Sequence, residues 1–146
     1  MEKQENLHKE LEFIQAVILR MANNSFLVKG WAMTLMAGLI ALGKDVLFDE
    51  NQGNVYLIVI IALVIPFWWL DAFYLRQERI FRKIYERAID DPDAKNRKRY
   101  DLNPRVLATE VASTFKIMKE RVIYWFYLPF IFLLALAVIL RASGVI

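Results

Sequence analysis

The sequence predicts an all-α membrane protein in which three transmembrane helices continue into a cytoplasmic helical bundle. Hydrophobic residues make up 58% of the chain, whereas ordinary soluble domains are about 45–50% apolar. Charged residues still account for 24%, so charged and apolar residues must be segregated along the chain. Three long apolar runs separated by charged stretches show this segregation, and 146 residues leave room for one domain.

Each apolar run predicts one span. The predicted transmembrane helices cover 26–43, 55–75 and 122–141. The third run holds 19 uncharged residues, or about 28 Å of helix, which matches the hydrocarbon core of a bilayer. The second run is interrupted by Asp71 near its end. The first has only 14 uncharged residues after Lys29, so a buried helix of a soluble protein is its alternative reading.

Lysine and arginine residues in the flanks predict the orientation. The 44–54 loop has one lysine and three acidic residues, whereas 76–121 has 13 Lys and Arg residues against 8 acidic residues. Positive charge concentrates on the cytoplasmic side of membrane proteins. We therefore expect 76–121 and the N-terminal segment 1–25 to be cytoplasmic, and 44–54 and the tail 142–146 to be periplasmic.

The cytoplasmic part is predicted to be helical. Segment 1–25 is an amphipathic helix whose apolar residues follow a heptad spacing, namely Leu7, Leu11, Ile14, Ile18 and Met21. A helical hairpin is predicted over 76–121, with a stop near Pro92 and a new start at Asn103 and Pro104. We expect the new helix to run straight into the third span, giving three continuous helices over 5–43, 55–89 and 104–141.

Two charges near the cytoplasmic ends of the first two spans stand out. Lys29 and Asp71 should lie at similar depth because these spans run antiparallel. A charge inside a membrane is costly unless it is paired or reaches the interface. The favoured interpretation is a structural ion pair, and a proton or ion relay is the alternative.

Further candidates are basic and small residues. A basic cluster follows the second span, where lipid headgroups lie, and consists of Arg76, Arg79, Arg82 and Lys83. It predicts contact with anionic lipid headgroups, with topology determination and a protein-binding surface as alternatives. A small-residue stripe at Gly30, Thr34 and Gly38 predicts close helix packing, either against another span of the chain or against a neighbouring subunit.

Several function classes have no support in the sequence. The chain has no cysteine and a single histidine, His8, which excludes disulfides and multi-histidine metal sites. No phosphate-binding glycine loop or nucleophile motif is present, so we expect no enzyme activity, cofactor or metal. Acidic residues flank the basic run in loop 90–103 and largely cancel its field, so we expect no nucleic-acid binding.

Two blocks of residues carry a family resemblance. The first block reads Ile14-Gln15-Ala16-Val17-Ile18, Arg20-Met21-Ala22-Asn23-Asn24-Ser25-Phe26, Lys29-Gly30-Trp31 and Thr34-Leu35; the second reads Phe67-Trp68, Leu70-Asp71-Ala72-Phe73-Tyr74-Leu75-Arg76-Gln77-Glu78-Arg79 and Phe81-Arg82. Together they resemble the RipA-like small bacterial inner-membrane proteins, which are known as octameric membrane proteins. The resemblance implies a homo-oligomer in the cytoplasmic membrane of a bacterium, and no enzymatic activity.

The leading functional hypothesis is a non-enzymatic homo-oligomeric scaffold of the inner membrane. Its partners would be further copies of the chain and membrane lipids, including anionic ones. The alternative is a channel or membrane-permeabilising effector whose pore forms between subunits. A weaker alternative is an adaptor that docks a soluble protein through loop 90–103.

Overall fold

The computed structural model describes residues 2–47, 49 and 52–143, and these residues form helices and turns without a strand. Three of its helical segments are long and apolar enough to cross a membrane, which confirms the predicted all-α class with three candidate membrane helices. The helices are α1 (Glu2–Leu42), α2 (Lys44–Leu47), α3 (Gly53–Asp90), α4 (Thr114–Met118) and α5 (Arg121–Ala142), with 3-10 turns at Pro104–Val106 and Ala108–Glu110.

The first two long helices form as predicted. α1 continues without a break through Asn23, Asn24 and Ser25, so these capping residue types are accommodated inside one helix. α3 ends at Asp90, two residues before Pro92, because proline disfavours helical geometry in the residue that precedes it. Each helix therefore joins a polar half to an apolar half.

The predicted helix over 104–141 is wrong. Asn103 does cap a helical start by accepting a hydrogen bond from the Arg105 amide, but only single 3-10 turns and α4 follow before α5 begins at Arg121. The Arg76 guanidinium binds the carbonyl oxygens of Ala108 and Ala112. A continuous helix would need those oxygens for its own i+4 amides, so the side chain takes the place of the helical bonds.

α3 is the central helix of the molecule. α1 and α5 both pack along it and make at most a local contact with each other. The predicted N-terminal seam lies in the α1–α3 packing, with Ile14 buried and its other members half-buried. The buried apolar core lies along α3 and comprises Ala32, Met36, Leu57, Ile60, Val64, Ala72, Ile117, Ile123, Tyr127 and Leu134.

The ends of the three helices opposite the polar half are held by Arg141. Its guanidinium donates to the carbonyl oxygens of Leu47 and Asp49. Gly53 lies beneath this contact, and a Cβ placed on it would come within 2.5 Å of both Leu47 O and Arg141 Cζ. The close approach of α5 to the α1–α3 connection therefore depends on the missing side chain of Gly53.

We expect Gly53→Ala to lower the melting temperature in detergent, because overpacking of this kind costs about 1–3 kcal/mol. Gly38→Ala is the matched control, since a Cβ there meets no atom within 4 Å and alanine favours a helix. Equal melting temperatures of the two variants would contradict the packing role of Gly53.

Candidate functional site

The structure brings Lys29 and Asp71 together. The Lys29 Nζ lies 2.6 Å from Asp71 Oδ2 and 2.7 Å from Oδ1. Asp71 has no exposed surface, and the Lys29 side chain is 23% exposed. The antiparallel packing of α1 on α3 thus places both charges at one depth. The ammonium donates a hydrogen bond to Oδ1 and lies within ion-pair distance of Oδ2.

Sequence reasoning missed the third polar member of this cluster, Ser25. Its Oγ donates to Asp71 Oδ1 at 2.5 Å and accepts from Lys29 Nζ at 3.2 Å. The available signal was its position four residues before Lys29, on the same face of α1. Ser25 therefore shares the charged pair and is itself buried.

Aromatic residues of α5 close the cluster. Lys29 Nζ lies 6.0 Å from the centre of the Phe126 ring, within range of a cation–π contact. Tyr127 is buried, stacks on Trp68 at a 6.0 Å ring separation, and donates to the Phe67 carbonyl oxygen. The cluster therefore connects α1, α3 and α5, because each of its groups contacts a neighbouring helix or another member of the cluster.

The four predicted headgroup-binding cations all have partners in the protein. Arg76 binds the backbone carbonyls described above, and Arg79 forms two bonds of 2.7 and 2.6 Å with the Glu120 carboxylate. Arg82 pairs with Glu78, and Lys83 pairs with Glu110. Arg76 and Arg79 therefore attach the segment before α5 to α3. Contact with lipid headgroups stays a prediction, best suited to Arg82, whose side chain is 63% exposed.

The small-residue stripe points away from the other helices of the chain. A Cβ added to Gly30 or Gly38 would meet no atom within 4 Å, and Thr34 donates back to the Gly30 carbonyl. Of the two predicted packing partners, another span of the same chain does not lie against the described part of this stripe. The stripe is open to a second molecule.

Gly30 of this stripe also belongs to a longer exposed row, here called the α1 outer seam. Its members are spaced three and four residues apart in turn, the spacing of a coiled-coil contact. Large and small residues alternate along it. The members, all exposed, are Ala16, Leu19, Asn23, Phe26, Gly30, Met33, Ala37 and Ile40. This spacing is present in the sequence, but the N-terminal seam is more apolar and is therefore the row that the pattern predicts to be a helix contact.

A second polar cluster, which the sequence analysis missed, closes loop 91–103 over α1. The Glu10 carboxylate is 1% exposed and receives Arg97 at 2.5 and 2.9 Å and the Tyr100 amide at 2.8 Å. Arg99 adds a contact at 3.5 Å. Tyr100 has a φ of 60°, in the left-handed region that non-glycine residues rarely adopt. Loop 91–103 is therefore fastened to the N-terminal half of α1.

The environment shifts the titration of Glu10. Burial raises the pKa of this carboxyl, but hydrogen bonds from Arg97 and the Tyr100 amide, together with the charges of Arg97 and Arg99, lower it by more. The pKa of Glu10 therefore lies below its usual value, and the folded state favours the ionised carboxylate.

Comparisons with known proteins add no relative. No protein-family model, curated protein or solved structure matches the chain. The resemblance to the RipA-like proteins therefore stays a prediction.

We expect Lys29→Met and Asp71→Leu each to lower thermal stability, because removing one member of a buried pair strands the other and costs about 3–5 kcal/mol. The double change should cost less than the sum of the two, since neither charge is then left alone. Thermal unfolding of the parent, the two single variants and the double variant in detergent measures the coupling between the two side chains. Strictly additive losses would show that Lys29 and Asp71 do not stabilise each other.

We expect the stabilising effect of Glu10 to depend on pH. Its pKa is lowered on folding from 4.5, so the contribution is fully present above that value and is lost as pH falls through the lower pKa of the folded protein. Thermal unfolding measured from neutral into acidic buffer should show less acid dependence in Glu10→Gln than in the parent. Glu12→Gln, an exposed neighbour on α1, should behave like the parent; an identical response in both variants contradicts the assignment.

Proposed function

We propose that the chain is a non-enzymatic homo-oligomeric scaffold of the bacterial cytoplasmic membrane, with its N-terminus and segment 76–121 in the cytoplasm. The observation that carries the proposal is the α1 outer seam, a helix-pairing surface without a partner among the described residues. Copies joined along it would bring their polar halves side by side as a cytoplasmic helical bundle.

Contact with lipid alone does not explain the apolar residues of the α1 outer seam, because the seam extends beyond the apolar half of α1 into its polar half. Leu19 is 63% exposed and lies ten residues before Lys29, about 15 Å along the helix on its polar side. Covering a leucine or phenylalanine that otherwise contacts water contributes about 1.5–3 kcal/mol. A protein partner that follows α1 through both halves provides that cover.

The alternation of large and small residues favours a helix as that partner. Gly30 and Ala37 leave recesses on either side of Met33, and small residues at such spacing allow membrane helices to approach closely. The chain itself offers exposed apolar helical faces of matching length, so a second copy meets the requirement without another protein. Its resemblance to octameric membrane proteins points to the same partner.

The orientation rests on the charge asymmetry of the loops. Segment 76–121 carries the excess of Lys and Arg residues, and the cytoplasmic side retains such segments. Much of that charge is paired with acidic residues within the polar half. The polar half therefore suits a scaffold that presents a folded surface at the inner leaflet.

We expect the parent protein in detergent to have a mass several times 17.2 kDa, measured by mass photometry or native mass spectrometry. The double variant Gly30→Ile and Ala37→Leu fills the recesses of the seam. We expect it to raise the dissociation constant of the oligomer at least tenfold, because overpacked contacts lose about 1–3 kcal/mol. Ala62→Leu, at an exposed site on α3, is the matched control and should assemble as the parent does.

A parent protein that is monomeric at micromolar concentration overturns the scaffold proposal. Reconstitution into liposomes tests the alternative: a flux of small ions that requires the oligomer would favour a channel formed between subunits. Tight liposomes and normal growth on overexpression would support the scaffold.

A further inference from the structure

We infer that the segment joining α4 to α5 binds the headgroup of an anionic phospholipid. The binding residues are three cations, here called the α4–α5 cations, namely Lys116, Lys119 and Arg121. The site lies within a single chain, so it does not depend on the proposed homo-oligomer. It is distinct from the basic cluster predicted from the sequence, which lies on α3.

The α4–α5 cations have no partner in the described part of the chain. All three are exposed, and none of their side chains forms a hydrogen bond or an ion pair with a described residue. The only acidic residue within 115–122 is Glu120, whose carboxylate binds Arg79 through both of its oxygens. The positive charges of this segment are therefore left uncompensated.

The basic cluster on α3 differs in this respect. Each of its four members already donates to a backbone carbonyl or to a carboxylate of the protein. A lipid phosphate at that cluster would have to compete with those acceptors. The α4–α5 cations can donate to a phosphate without giving up a bond within the chain.

The α4–α5 cations lie where the apolar half of the molecule begins. Trp68 Nε1 donates to the Met118 carbonyl oxygen at 3.1 Å, and Glu120 is bound to Arg79. These two contacts tie the segment to the end of the predicted second span on α3. Arg121 directly precedes the 19 uncharged residues of the third apolar run. In a membrane, this edge of the apolar region is the level of the lipid headgroups.

Other exposed cations without an ion pair among the described residues lie farther from the apolar half. Arg87 follows Asp71 by sixteen residues on α3, which is about 24 Å of helix. Lys95 and Lys98 follow the end of α3, in the loop that is fastened to Glu10. The attraction of a charged leaflet decays over about 10 Å. A leaflet at the level of Asp71 therefore attracts the α4–α5 cations more strongly than these three.

Exposed apolar side chains flank the cations. Phe115, Val122 and Trp125 are each more than 60% exposed. Tryptophan is enriched at the headgroup level of membranes, and covering apolar side chains is favourable because it removes their surface from water. A phospholipid meets both requirements, since its phosphate binds the cations and its acyl chains cover the apolar side chains. A free phosphate ion would leave those side chains exposed.

The charge of the segment selects the kind of headgroup. A zwitterionic headgroup such as phosphatidylcholine has no net charge, whereas phosphatidylglycerol is negatively charged. Basic residues strengthen attraction to anionic lipids in particular. Because the charge of Glu120 is already taken by Arg79, the α4–α5 cations favour the anionic headgroup.

Lipid titration followed by native mass spectrometry tests the inference. The protein in nonionic detergent is titrated with dioleoyl phosphatidylglycerol and, in parallel, with dioleoyl phosphatidylcholine. We expect the parent to bind phosphatidylglycerol more tightly. The triple variant Lys116→Gln, Lys119→Gln and Arg121→Gln should bind phosphatidylglycerol at least tenfold more weakly, because each basic residue near an anionic lipid contributes about fivefold. Its binding of phosphatidylcholine should equal that of the parent.

The matched control is the triple variant Arg87→Gln, Lys95→Gln and Lys98→Gln, which removes the same charge from exposed sites. It should bind phosphatidylglycerol as the parent does. Both triple variants are first compared with the parent in melting temperature and oligomer mass. If the α4–α5 variant does not fold, Lys119→Gln alone is measured, with an expected loss of about fivefold.

The outcomes are distinct. A loss of phosphatidylglycerol binding confined to the α4–α5 variant supports the inference. An equal loss in the control shows that net charge alone matters, and a loss in Arg82→Gln with Lys83→Gln instead assigns the headgroup to the cluster on α3; either result overturns it. A changed oligomer mass in a folded α4–α5 variant places the cations in a contact between copies and also overturns it.

Glycerol phosphate separates the lipid from a free phosphate, because it carries a phosphate without acyl chains. We expect it not to displace phosphatidylglycerol from the parent at equal concentration. Displacement would make a soluble phosphate the ligand of the α4–α5 cations and would overturn the assignment to a lipid.

Discussion

The buried Asp71 carboxylate determines the level at which the long helices meet. A carboxylate without exposed surface is tolerated only where charged and polar donors reach it, and these donors are Lys29 and Ser25 on α1. Phe126 and Tyr127 of α5 close the same site. A shift of α1 along α3 would separate the carboxylate from both of its donors. One polar contact therefore sets a register that apolar packing alone would leave free to slide.

Charged side chains of α3 and α1 organise the polar half in a similar way. Arg76 and Arg79, one turn apart on α3, hold the segment that leads into α5 through its backbone and through Glu120. Glu10 in the same way holds loop 91–103 against α1, because it accepts hydrogen bonds from Arg97 and the Tyr100 amide. In both places a buried or half-buried charge supplies the bonds that an irregular backbone cannot make with itself.

These attachments leave the outer face of α1 without a partner among the described residues. Because α1 and α5 use their inner faces on α3, each keeps exposed apolar residues on its outer face, and α3 keeps a further exposed apolar face of its own. A homo-oligomer of the kind proposed above would use such exposed faces and would require no change in the fold of the chain.

The sequence by itself determined the three long apolar helical segments and the ends of the first two long helices. Apolar length is a local property, and Pro92 acts on the residue next to it, so both could be predicted without a partner. Pairing of Lys29 with Asp71 followed from antiparallel order. Tertiary structure decided the break before α5, because the Ala108 and Ala112 carbonyls bond to Arg76, more than thirty positions earlier. It also decided which of two heptad rows on α1 is buried: both have helical spacing, and only the position of α3 leaves Ile14 inside and Gly30 outside.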